Sequence, residues 1–146
     1  MSTIPDAAGR LRLYQPPDPP PGALLTYPVP DGLRWRIICL RGIFSPDANV
    51  ANRRLFTYVT KHTYGMNRTI AQYVIPAGAA QVFQFVSDGR NSTGEITNFH
   101  VTRIPMPLYV DDHCTIEVDV DAIQVGDTLT FFGLMVEEWM EHSMNP

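Results

Sequence analysis

From Leu33 onward the chain is written largely in a period of two. In Leu33-Arg34-Trp35-Arg36-Ile37-Ile38-Cys39-Leu40-Arg41 the odd positions from 33 to 39 are apolar, while arginine holds 34 and 36. Successive side chains on a strand point to opposite faces, so this pattern makes one dry face and one wet one. Further runs rich in β-branched and aromatic residues follow at 51–60, 69–75, 81–86, 95–102, 113–120 and 128–138. Turn chemistry separates them: Ser45-Pro46-Asp47, Tyr64-Gly65, Pro76-Ala77-Gly78, Ser87-Asp88-Gly89, Pro105-Met106-Pro107 and Gly126-Asp127. Roughly six to eight short strands with turn signals about every ten residues predict an all-β fold, an antiparallel β-sandwich or jelly roll. The one helix candidate, residues 136–142, is too short to stand alone, and its beginning reads as the close of the last strand.

The first 31 residues are a different kind of polymer. Eight of the thirteen prolines fall there, and Pro16-Pro17-Asp18-Pro19-Pro20-Pro21-Gly22 excludes a helix and a central strand, because proline has no amide hydrogen to donate. The expectation is an extended proline-rich N-terminal arm over 1–31, followed by a β-sandwich domain over 32–146. Leu11, Leu13, Tyr14, Leu24 and Leu25 supply apolar anchors that a purely solvated linker would lack. The arm is therefore expected to be an attachment device that lies outside the sandwich. At 146 residues the sandwich can bury roughly 70% of its unfolded surface without disulfides or metals.

Charge is unevenly spread. Residues 1–103 carry all eleven basic side chains against six acidic ones, whereas 104–146 hold nine acidic side chains and no lysine or arginine. Two outcomes follow: the halves interleave and balance locally, or complementary faces meet between subunits. The second predicts a homo-oligomer in which Glu137 and Glu138 contact an arginine-bearing neighbour. A nucleic-acid surface is disfavoured by the single lysine, Lys61, and the acidic balance. No apolar run reaches membrane-spanning length, and no signal peptide is legible, so no membrane partner is expected. Cys39 and Cys114 sit in apolar strand contexts and are expected to be buried, unpaired thiols.

Constellations that carry chemistry are sparse. Asp111-Asp112-His113-Cys114 looks like a ligand cluster, but strand alternation would separate its side chains, and no second ligand pair accompanies it. Glu117, Asp119 and Asp121 share one strand face. They read as a wet face opposite arginines such as Arg34, Arg36, Arg53 or Arg54 rather than a calcium loop. Nucleophile-elbow, zinc-protease, P-loop and dinucleotide signatures are missing, and His62, His100, His113 and His142 are scattered singly. The reading is non-enzymatic: no catalytic residues, no cofactor and no metal.

Three stretches point to a family. Val50-Ala51-Asn52-Arg53 opens the second strand, Ile123-Gln124-Val125-Gly126-Asp127 precedes the last, and Val136-Glu137-Glu138-Trp139 ends it. In order and spacing, over residues 32–140, the chain resembles small β-sandwich proteins encoded among the virion structural genes of tailed bacteriophages. The resemblance implies a head or neck component made in the host cytoplasm and carried in the virion. A capsid decoration (cement) protein is the leading form, oligomeric on the shell, with the major capsid protein or another virion protein as partner. A carbohydrate- or receptor-binding module of a tail or fibre is the alternative. The proline tract lies outside the resemblance.

Overall fold

The computed structural model describes residues 8–47, 53–61, 66–75, 80–87, 92–93, 99–104 and 107–140. Eleven strands occur among them: β1 (Arg10–Tyr14), β2 (Leu25–Pro28), β3 (Leu33–Ser45), β4 (Arg53–Lys61), β5 (Met66–Ile75), β6 (Gln81–Val86), β7 (Ser92–Thr93), β8 (Phe99–Arg103), β9 (Leu108–Asp111), β10 (Cys114–Asp121) and β11 (Thr128–Met140). They form two packed sheets. The seven-stranded sheet runs β1-β11-β3-β6-β8-β7, with β9 pairing the first half of β3. The four-stranded sheet runs β2-β10-β4-β5. Pairing is antiparallel except between β6 and β8. The sandwich expected from the period-two runs is therefore present, and no helix among the described residues is long and apolar enough to cross a membrane.

The core lies between the sheets. Trp35, Ile37, Leu40, Phe44, Phe83, Phe85, Leu134 and Val136 enter from the seven-stranded side, and Leu25, Leu55, Val59, Ile75, Ile116, Val118 and Val120 from the other. The inward series of β3 changes parity halfway. Register pairs Ile37 with Val136 but Cys39 with Met135, leaving Ile38 as an extra residue. A one-residue bulge flips every later side chain to the opposite face. Leu40 and Phe44 therefore point inward, while Cys39 turns outward and is only half-buried. Its expected burial fails for that reason. Cys114 is buried as expected, and both thiols are free.

The arm does not lie outside the fold. β1 pairs with β11 over its whole length, and β2 pairs with β10, so the first 31 residues add one edge strand to each sheet. Prolines remove donors, but an edge strand needs only the donors on its paired side. Pro28 closes β2 at such an edge, where a missing amide costs little. Between the two strands the chain turns at Pro20-Pro21-Gly22-Ala23, closed by the Ala23 amide donating to the Pro20 carbonyl at 3.0 Å. Gly22 has φ +76°, and a Cβ there would sit 3.0 Å from the Val125 Cα. Proline followed by a left-handed glycine is what a type II turn requires.

Candidate functional site

Each sequence-predicted residue of the arm has a definite place. Leu11 and Leu13 lie on β1 and face outward from the seven-stranded sheet, exposed to 66% and 70%. Leu24 is exposed, whereas Leu25 is buried in the core at the start of β2. Leu25 is thus a core residue and not an external anchor. Tyr14 turns the other way from Leu13 and packs between the sheets: its ring centroid lies 4.8 Å from that of Trp35 and 6.1 Å from that of Tyr27. Tyr27 stacks on Trp35 at 6.0 Å. One aromatic cluster therefore ties both arm strands to β3.

Glu138 sits at the polar end of that cluster. One carboxylate oxygen accepts hydrogen bonds from the Tyr14 hydroxyl and from Trp35 Nε1, the latter at 2.9 Å. The other oxygen lies 3.7 Å from Arg12 Nε. Burial, then the hydrogen bond to Glu138, pushes the Tyr14 phenol up to about 12. Glu137, the neighbour on β11, takes Arg36 Nε at 2.8 Å and the Gly9 amide at 2.9 Å. A side chain at position 9 would collide with Glu137 and Trp139, so glycine lets the arm lie this close. Both glutamates, expected at an intersubunit contact, are thus engaged by arginines of their own chain.

The same holds elsewhere in the acidic third. Asp111 Oδ2 accepts from Lys61 Nζ at 3.1 Å, while Oδ1 accepts from the His113 amide and the Cys114 thiol. Burial pushes the Asp111 carboxyl up, but these donors outweigh it and hold it below the usual range. Asp112 and His113 form the turn between β9 and β10 rather than part of a strand. Glu117, Asp119 and Asp121 face Tyr58, Phe56 and Arg54 across β4, so only one of the arginines named for that face is opposite them. Thr60 Oγ1 donates to Glu117 at 2.9 Å. Among the described residues, Asp111, Glu137 and Glu138 of the acidic third thus each meet a basic side chain of the first 103 residues.

Arg53, expected on a wet face opposite the carboxylates, is where the structure differs most. It heads the inward series Arg53, Leu55, Thr57, Val59 of β4 and is fully buried. Its Nε and Nη2 donate to the two oxygens of Asp127, each at 3.1 Å, and Nη2 also reaches Asp47 at 2.6 Å. Asp127 further accepts from the amides of Asp47 (2.7 Å) and Gln124 (2.9 Å), and its own carbonyl accepts from the Gly22 amide at 2.8 Å. Burial pushes the Asp127 carboxyl up, yet Arg53 and the two amides prevail and hold it below the usual range. The hydrogen bond to Asp127 leads the effects that raise the guanidinium. A bidentate pair with every lone pair engaged is the geometry a buried charge requires. Arg53 comes from the stretch at 50–53 and Asp127 from that at 123–127, so two stretches far apart in sequence meet here. The stretch at 136–139 supplies Glu137 and Glu138.

These nodes brace an outer face. A hollow of about 380 Å³ opens on the seven-stranded sheet, lined by Leu13, Gln15, Cys39, Arg41, Gln84, Gly133 and Met135. It exists because Gly133 leaves a gap in a row of side chains, just after a second register shift between Thr130 and Gly133. A smaller hollow of about 310 Å³ lies nearer the ends of β1 and β11, beside Arg10, Arg12, Leu33 and Trp139. Among the described residues no group of three or more His, Cys, Asp or Glu side chains is placed to hold a metal ion. What the surface offers is apolar contact rimmed by arginine and amide groups.

The chain matches no protein-family model, and no curated protein matches it in sequence. Among solved structures it aligns with a chain of the T13 IBDV viral particle, at 11% identity and a TM-score of 0.38. The alignment covers 93% of this chain and 33% of the other, so the protein spans about a third of that chain's length.

Proposed function

We propose that this protein is a non-enzymatic structural component of a tailed-phage virion, a capsid decoration (cement) protein that fastens to the head through the outer face of its seven-stranded sheet. The observation that carries the reading is the exposed pair Leu11 and Leu13 on β1, of which Leu13 lines the hollow with Gly133 and Met135. Two large aliphatic side chains held outward on an ordered strand form a ready contact. Burying them contributes roughly 1.5–3 kcal/mol apiece. Because β1 is already fixed to β11, little of that is offset by ordering a loose chain. The resemblance of the three stretches that build the bracing nodes to phage virion β-sandwich proteins supplies the setting. Repetition over a shell would multiply a modest single contact.

The test uses purified emptied heads of the phage that encodes the chain, mixed with wild-type protein or with Met135→Lys. Met135 lines the hollow without belonging to the arm. Wild-type protein is expected to co-sediment with heads saturably, and the variant to bind at least tenfold more weakly while melting within a few degrees of wild type. Equal binding by both would remove the outer face from the account.

Receptor or carbohydrate binding is the second reading, favoured by Tyr109 and Trp139, whose rings lie 6.1 Å apart. A sugar platform needs neighbouring aromatic faces open to solvent. Saturable binding to a glycan, abolished by Trp139→Ala, would favour it over head attachment.

A further inference from the structure

We propose that two copies of this chain join edge to edge through β1, making one continuous sheet across a two-fold axis. This specifies the self-association that the virion reading leaves open, but it rests on the geometry of β1 and is tested without any head present.

β1 ends the seven-stranded sheet: it pairs with β11 on one side, and no described strand lies on the other. A free edge presents unpaired amides and carbonyls. The matching edge of the other sheet, β2, ends in Pro28, whereas β1 contains no proline. The occupant follows from the sequence Arg10-Leu11-Arg12-Leu13-Tyr14. A two-fold axis perpendicular to the sheet keeps outer faces with outer faces, so only registers that pair residues of like parity are allowed. The one that overlaps all five residues is centred on Arg12. It sets Leu11 of each copy beside Leu13 of the other, twice, so that the two most exposed leucines of the chain pack laterally and form one wider apolar strip still open on the outer face. Aliphatic cross-strand pairs of this kind stabilise antiparallel edges.

The inner-face row is also compatible. The two Arg12 side chains adjoin at the axis, a like-charge contact that opposes pairing and is offset by the Glu138 carboxylate 3.7 Å from each. Arg10 of one copy falls opposite Tyr14 of the other, whose hydroxyl is bonded to Glu138, so a cation meets an aromatic ring backed by a carboxylate. A five-residue strand pair is small against the roughly 1,200–2,000 Å² of a standard interface. The dissociation constant therefore belongs between roughly 1 µM and 1 mM, weak alone and effective when copies are held side by side.

Sedimentation equilibrium of the full chain up to about 1 mM is expected to show a mass rising towards twice the monomer. Leu11→Glu with Leu13→Glu, and separately Leu11→Lys with Leu13→Lys, should each weaken association at least tenfold. Mixing the two variants should restore it. Arg12→Cys, which puts two thiols across the axis, should yield a disulfide-linked dimer on mild oxidation, and Leu11→Cys should not. A wild-type monomer throughout the range, variants that associate like wild type, or cross-linking by Leu11→Cys in place of Arg12→Cys would each overturn the proposal. Head binding by a protein that stays monomeric in solution would sink this inference and leave the virion reading standing.

Discussion

Asp127→Asn removes one charge from a fully buried polar node and leaves its shape intact. Arg53 is fully buried and donates to both Asp127 oxygens, so the substitution strands a guanidinium in the core. Removing one partner of a buried pair typically costs about 3–5 kcal/mol. Asp47 still reaches Arg53 at 2.6 Å and is itself partly exposed, which places the expected loss near the lower bound. Asp127→Ala also deletes the acceptor for the amides of Asp47 and Gln124 and belongs near about 5 kcal/mol. For a chain of this length about 3 kcal/mol lowers the melting temperature by on the order of 10 °C. Urea unfolding followed by tryptophan fluorescence measures the difference directly. The pH dependence has a fixed sign. Asp127 is held below its unfolded value, so its contribution is complete above about pH 4, where the unfolded carboxyl titrates, and fades as pH falls through the folded value. Wild type and Asp127→Asn should therefore converge in acid. A loss under about 1 kcal/mol at pH 7, or a gap that persists unchanged in acid, would refute the reasoning.

The remaining predictions concern the arm and the thiols. Because β1 and β2 are sheet edges and Leu25 is core, deleting residues 1–30 should lower the melting temperature drastically or prevent folding, and Leu25→Ala alone should cost about 2–5 kcal/mol; a truncated protein that melts like wild type would contradict both. Tyr14→Phe should cost about 1.5 kcal/mol by removing a hydrogen bond to a carboxylate. Its pKa near 12 means that this contribution holds below about pH 10 and is lost as pH rises towards 12, which an alkaline ultraviolet titration with the variant as control can follow. Burial raises both thiols, so each should react slowly in the native protein, with half-buried Cys39 ahead of Cys114 and two fast thiols after denaturation; equal native rates would count against the outward turn of Cys39.

Where the sequence was legible, the reason is periodicity. The run at 81–86 stands as a strand because its alternation survives into the fold as alternating burial, and the run at 128–138 is a strand that continues past Glu138 to Met140. Two kinds of feature escaped. The bulge at Ile38 leaves no mark in a run whose residues 37 to 40 are all apolar, so the outward turn of Cys39 was hidden. The arm's strands were masked by an argument from proline that applies to central strands and not to edges, while Arg10–Tyr14 contains no proline at all. Arg53 did carry a signal: it has the parity of Leu55, Thr57 and Val59, which marks it as inward-facing. Its partner, 74 residues away, is set by topology that no local pattern encodes. The arm offers five apolar anchor candidates, and which of them point outward is decided only by pairing with β11 and β10.

The most direct test of the proposed virion role is quantitative mass spectrometry of virus particles purified by density gradient from a lysate of the chain's native source. The account predicts this protein at a fixed, repeating copy number relative to the major capsid protein, retained through the gradient at moderate salt. Finding it only in the soluble fraction of the lysate, with purified particles complete and stable without it, would contradict the account.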